Sequence, residues 1–145
     1  RGLGDVYKRQ IQYPSLTTAI TAGIQTMTRY SEMTCEACRV GAPPATDEKV
    51  NAFLDDNPEW VRLVVDGEPR IQRVFQFENF EQALSFTNRV GALAEEPGHH
   101  PALRTEWGRV TVGWWTHKIR NLHQNDFIMA AKTDQLYREM APTEG

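Results

Sequence analysis

A chain of 145 residues suits one domain large enough for a single core. A net charge of −3 and a pI near 5.8, with no basic patch interleaved with aromatics, argue against a nucleic-acid surface. No apolar run reaches membrane-spanning length and no charged-then-apolar signal segment opens the chain, so the expectation is a soluble, cytoplasmic protein with no membrane partner.

The opening looks foreign. It has no initiating Met, and Asp5-Val6-Tyr7-Lys8-Arg9-Gln10 resembles a translated sequencing adapter. The Thr-rich stretch from Ile11 to Tyr30 has weak periodicity and no clear caps. Residues 1–32 are therefore expected to be a non-native or disordered extension that adds neither core nor site, with Met27 or Met33 as a natural start. Residues 33–45 read as an arm carrying Cys35-Glu36-Ala37-Cys38. A closed zinc site needs four ligands, and no second pair follows. Gly41-Ala42-Pro43-Pro44 leads into a loop, not into the helix that a thioredoxin-like pair would open. The plain reading is two reduced cysteines in an arm.

The domain itself spans 46–140, with a tail at 141–145. Thr46 can cap a short helix whose first turn carries Asp47 and Glu48 and whose apolar face is Val50, Phe53 and Leu54. Asn57-Pro58 stops it. Trp60 to Val65 reads as a strand, Asp66-Gly67 as its turn, and Ile71 to Phe77 as its return. Arg73 shares a face with Ile71, Phe75 and Phe77, so it either ends the core face or enters a polar pocket. Asn79 with Gln82 resembles a capping box, followed by Phe80, Ala83, Leu84, Thr87, Val90 and Ala94 at helical spacing. That helix must end before Pro97-Gly98.

Three of the four histidines come next. His99 and His100 lie just past the helix, with Glu95 four residues before the first, and Pro101 biases His100 toward an extended conformation. Ala102 to Trp107 and Arg109 to Thr116 form a second hairpin about Gly108, and His117 stands at its end. On the last strand Val110, Val112, Trp114 and Thr116 face one way; Thr111, Gly113, Trp115 and His117 face the other. Such histidines suit proton transfer, since imidazole titrates in the physiological range. A polar turn and a metal site made of His99, His100 and His117 stand open beside that reading. A final helix runs from about Gln124 to Tyr137. The order α-β-β-α-β-β-α implies an α+β two-layer domain: a four-stranded antiparallel sheet with helices on one face.

Taken together, Glu95-x-x-x-His99-His100-Pro101, then His117 after fifteen intervening residues, then Leu122 and Asp126, resemble the pterin-4a-carbinolamine dehydratase family. The similarity runs from about Cys35 to Leu136. It is closest to bacterial members that accompany phenylalanine hydroxylase, through the Cys-Glu-Ala-Cys arm, the Thr105-Glu106-Trp107-Gly108 turn and the helix from Asn125 to Ala131. The resemblance implies dehydration of 4a-hydroxytetrahydropterin to quinonoid dihydropterin and water, which recycles tetrahydropterin for an aromatic amino acid hydroxylase. It implies no cofactor, the pterin being the substrate, and no metal. Carried over by motif, His99 and His117 are the acid and base nearest the 4a carbon, and His100 holds the pterin or assists. Glu95 orients a histidine or binds the ring nitrogens, while Pro101, Thr116, Lys118, Ile119 and Asp126 line the pocket.

Departures from the family pattern are Gly98, where many members have Asn or Asp, Leu103, where many have an aromatic, and Asn121, where Gly is frequent. The first two bear on how tightly the pterin is held; Asn121 is mild, because Asn tolerates a left-handed turn. A second class is a non-catalytic dimerisation or regulatory protein, since animal members also partner a homeodomain transcription factor. The resemblance further implies a homodimer or homotetramer. Unpaired edge strands, and aromatic surface expected from Trp107, Trp114 and Trp115, fit that expectation.

Overall fold

The computed structural model describes residues 30–35 and 41–140. Helix α1 (Asp47–Asp56) opens on Thr46, whose hydroxyl accepts from the Lys49 amide at 3.2 Å, with Asp47 and Glu48 in the first turn. Val50 and Phe53 are its buried residues, and the Asn57 amide closes it on the Phe53 and Leu54 carbonyls. Strands β1 (Val61–Val65) and β2 (Glu68–Gln76) form the first hairpin. Its turn residues, Asp66 (φ 52°) and Gly67 (φ 80°), are both left-handed, as a two-residue loop needs to match the strands' twist. Pairing therefore begins at Glu68, three residues before the apolar run from which the strand was expected to start.

Helix α2 (Phe80–Glu95) is capped by Asn79, which accepts from the Gln82 amide at 2.8 Å. Gln82 reaches back to the Glu78 amide at 3.0 Å, one residue beyond the Asn79 amide that a reciprocal box would use. Its buried stripe is Ala83, Phe86, Val90 and Ala94. Phe80 and Leu84, expected in that stripe, fall on its flank and are 45% and 42% exposed, and Phe86 takes the central place. Strands β3 (Ala102–Glu106) and β4 (Arg109–Trp114) form the second hairpin, and helix α3 (Gln124–Met140) closes the domain.

The sheet is antiparallel throughout, in the order β1-β2-β4-β3. Ile71 opposes Trp114 and Phe75 opposes Val110; these four and Val112 are wholly buried on the face that the helices cover. The other face carries Arg70, Gln72 and Val74 of β2 beside Thr111 and Gly113 of β4. This is the two-layer α+β arrangement read from the sequence. The aromatic surface expected of the second hairpin reduces to Trp107, because Trp114 lies in the core and Trp115 is also buried. Among the described residues no helix is long and apolar enough to cross a membrane.

The arm is tied to the domain. Tyr30, expected to add nothing to the core, meets Phe53 and Phe127 edge-on at 6.0 and 5.9 Å. The Ala45 amide donates to the Leu122 carbonyl at 2.7 Å, and Cys35 Sγ lies 4.0 Å from the Asn125 carbonyl oxygen. Cys38, the other half of the C-x-x-C, and residues 1–29 lie outside the described residues.

Arg73 enters a polar pocket. Its Nη1 donates to Asp134 Oδ1 at 2.8 Å, and Trp60 Nε1 donates to both oxygens of the same carboxylate at 3.1 and 2.9 Å. The guanidinium lies 4.5 Å from the Phe75 ring centroid. Burial pushes the Asp134 carboxyl above its ordinary value, against the pull of Trp60 and Arg73. The folded chain therefore holds that proton more tightly than the unfolded chain. This contribution is full below the ordinary carboxylate pKa and is lost as pH rises through the raised value. Asp134→Ala should cost about 3 kcal/mol in urea unfolding, since it leaves a buried indole N–H and a guanidinium unpaired. In the same assay the gap between wild type and Asp134→Asn should narrow as pH rises above the ordinary carboxylate range.

Candidate active site

The end of α2 aims the first two histidines. The His99 amide donates to the Ala94 carbonyl at 3.1 Å and the Gly98 amide to the Glu95 carbonyl at 3.2 Å. Gly98 has φ 68°. This is a Schellman ending, in which a residue without a Cβ, or Asn, takes the left-handed position. The departure at Gly98 is thus a change of cap residue, and it fixes where His99 leaves the helix.

From there the two rings part. His99 turns inward: it is 3% exposed, stacks near-parallel on Trp114 at 5.8 Å, and places Nε2 2.7 Å from Asp126 Oδ1. His100 turns outward and sets Nε2 2.8 Å from Glu95 Oε2, both side chains exposed. Two adjacent histidines thus each meet a carboxylate, one in the core and one in water.

Asp126 is wholly buried in the first turn of α3, where the helix dipole favours a carboxylate. Its Oδ2 accepts from the Thr116 hydroxyl and from the His123 amide, each at 2.9 Å. The imidazole of His123 in turn accepts at Nδ1 from the Asn125 amide at 3.1 Å. His123 and Asp126 form the capping box of α3, with an imidazole in place of the usual hydroxyl. Sequence reasoning left His123 aside; its spacing of three residues before an acid at a helix start was the available signal.

The strand end holds the third histidine. Thr116 and Asn121 bridge across a short 3-10 turn, His117–Ile119, that Arg120 closes at φ 53°. The left-handed residue is Arg120, not Asn121 as expected; Asn121 instead accepts from the Leu122 amide at 2.7 Å through its side chain. The turn leaves His117 exposed, with Nε2 3.0 Å from the His100 carbonyl oxygen. A carbonyl only accepts, so Nε2 carries the proton and the neutral ring keeps its lone pair on Nδ1.

Of the residues expected at the site, Glu95, His100 and His117 come together at the surface, and His99, Thr116 and Asp126 lie together beneath them. Lys118 is exposed and Ile119 and Pro101 are half-buried beside them in sequence. Among the described residues no three histidine, cysteine or acidic side chains converge in a way that would hold a metal. A groove of about 440 Å³ lies on the sheet face opposite the described helices, against Arg70, Gln72, Arg104 and Thr111, and contains none of the histidines. The bonded chemistry, not that concavity, marks the candidate site.

Residues 43–136 match the family model described as pterin 4 alpha carbinolamine dehydratase. A relative from Syntrophotalea carbinolica named for that dehydratase is 62% identical over 76% of this chain and 98% of its own. One from Marinobacter nauticus is 57% identical over 77% of this chain and 100% of its own. A crystal structure from Brucella melitensis, described as a transcriptional coactivator/pterin dehydratase, superposes with a TM-score of 0.58 at 29% identity, over 66% of this chain and 99% of that one.

Asp126→Ala should lower stability by about 3 kcal/mol in chemical unfolding, since it strands three donors at once. Asp126→Asn keeps an acceptor in place and should cost clearly less. Equal losses in the two variants would mean that the carboxylate's bonds to His99, Thr116 and His123 do not carry that stability.

Proposed function

Because the chain belongs to the pterin-4a-carbinolamine dehydratase family, we propose that it dehydrates 4a-hydroxytetrahydropterin to quinonoid dihydropterin by histidine acid–base catalysis. The observation that carries this reading is the bond from His117 Nε2 to the His100 carbonyl. It leaves Nδ1 of an exposed imidazole as the basic nitrogen, beside a second exposed imidazole.

In the reaction a base takes the proton from the ring nitrogen next to the 4a carbon. The electron pair forms a C=N bond, the C–O bond breaks, and the departing oxygen receives a proton as water. His117 Nδ1 is the base. The acid comes from the His99–His100 pair, of which His100, held by Glu95, stands at the surface. His99 lies one layer down, and its bond to Asp126 ties the pair to the strand end through Thr116. Pro101, Lys118 and Ile119 flank these groups in sequence and line the pterin's place. The step needs no cofactor, since each proton moves between substrate and imidazole.

On this reading the protein works in the cytoplasm, recycling tetrahydropterin for an aromatic amino acid hydroxylase. It is also a homodimer or homotetramer, for which the edges of β1 and β3, unpaired among the described residues, and the exposed Trp107 give support. The Brucella protein is described as a coactivator as well as a dehydratase, so a binding protein on the same fold is the second reading.

Stopped-flow measurement of carbinolamine decay separates the two, since a binding module would not speed it. His117→Ala should lower turnover about ten- to a thousand-fold, the order expected for one acid–base group, while the domain stays folded. Between His99→Ala and His100→Ala, the larger fall in kcat marks the acid, and a change confined to KM marks a binding role. Wild-type turnover in His117→Ala would remove the base from this scheme. Sedimentation at micromolar concentration should give a species of at least twice the 16.6 kDa chain mass; a clean monomer would contradict the assembly.

A further inference from the structure

From His117 two stacking contacts lead to a part of the sheet that the acid–base scheme does not use. Trp115 follows the last residue of β4 and belongs with Thr111 and Gly113 to the face opposite the described helices, yet it is only 8% exposed. The guanidinium carbon of Arg70 sits 3.7 Å over its ring. The His117 ring lies 4.2 Å away, centroid to centroid, at an interplanar angle of 32°.

Arg70 rises on this face from β2, where it opposes Leu63 of β1. Its Nε is buried without a hydrogen-bond partner among the described residues. An unpaired buried donor is unfavourable, so the cation's position is explained by the ring beneath it. A guanidinium is weakly hydrated and flat, and it stacks on an indole in a way that an ammonium does not. Gly113 keeps the route open: a Cβ there would stand 3.9 Å from Arg70 Cδ and 4.0 Å from Gln72 Oε1, so a longer side chain would contest the space.

His117 has need of a support. It begins a three-residue turn, it is exposed, and among the described residues its ring has one hydrogen bond, to the His100 carbonyl. A ring held by one bond can still swing about it, and that swing carries Nδ1 away from any fixed target. A second ring packed on its face prevents the swing.

We propose that Arg70 and Trp115 are positioning residues for His117. The guanidinium fixes the indole, and the indole fixes the imidazole with Nδ1 aimed at the substrate. This rests on His117 acting as the base and adds to that reading the device that orients it.

The test uses the full chain with Arg70→Gln, Arg70→Lys, Trp115→Leu and Trp115→Phe. It reads carbinolamine dehydration kinetics, Tm, and the NMR signals of the His117 ring protons. Arg70→Gln and Trp115→Leu should lower kcat about ten-fold with KM little changed, the mark of a misaimed group. Trp115→Phe should keep most of the activity because it keeps a face. Arg70→Lys should behave like Arg70→Gln, since charge alone does not restore the stack. In Arg70→Gln, where the indole and its ring current remain, the His117 ring protons should move while Tm holds; Trp115→Leu empties a buried site and should lower Tm as well. Unmoved His117 signals overturn the proposal whatever happens to kcat, and so does full activity in Arg70→Lys. If wild type fails to dehydrate the carbinolamine, the proposed reaction is wrong. The NMR comparison then still decides whether Arg70 and Trp115 orient His117.

Discussion

The carboxylate of Asp126, wholly out of water, accepts from three donors that belong to three separate parts of the chain. His99 arrives from the end of α2, Thr116 from the end of β4, and the His123 amide from the start of α3. A buried carboxylate is tolerable only when its lone pairs are taken, and each of these donors is equally costly to leave unpaired. The three segments therefore meet at this point or not at all. The surface histidines inherit their places from it: His100 follows His99 directly, and His117 follows Thr116 directly.

That inheritance explains the two-layer character of the site. Below, the bonds are buried and fix geometry; above, Glu95, His100 and His117 are exposed, where the proposed proton transfers would take place. Catalysis needs groups held still but not consumed by the holding. Anchoring His117 by one ring nitrogen, on a main-chain carbonyl, leaves the other for chemistry. A side-chain acceptor could move; a backbone carbonyl set by a helix ending and a following proline cannot easily do so.

Much of this was legible in the residues. Caps at Thr46 and Asn79, the Asp66-Gly67 turn and the alternation along β4 gave the element order, because each is a local rule with a local cause. The spacing of Glu95, His99, His100 and His117 pointed to the family and to a candidate site. What was hidden depended on contacts between segments. Phe86 displaced Phe80 and Leu84 because the sheet, not the helix, chooses which flank of a broad apolar stripe is buried. The opposite orientations of His99 and His100 followed from Asp126, 27 residues away. Tyr30 lay in a stretch without periodicity, and its two aromatic partners come from α1 and α3. Arg73 could be placed on the core face by alternation, but only Asp134 on α3 showed what it met there.

The claim that one buried carboxylate holds the site together is tested most directly by the protonation pattern of His99. A ¹⁵N-resolved imidazole spectrum of the folded protein at neutral pH, assigned with His99→Gln, reports which ring nitrogen carries hydrogen. An ionised carboxylate can only accept, so a bond from His99 to Asp126 requires the proton on Nε2. The account predicts a protonated Nε2 whose signal changes in Asp126→Asn. A neutral His99 with its proton on Nδ1 and a bare Nε2, indifferent to that substitution, would contradict it.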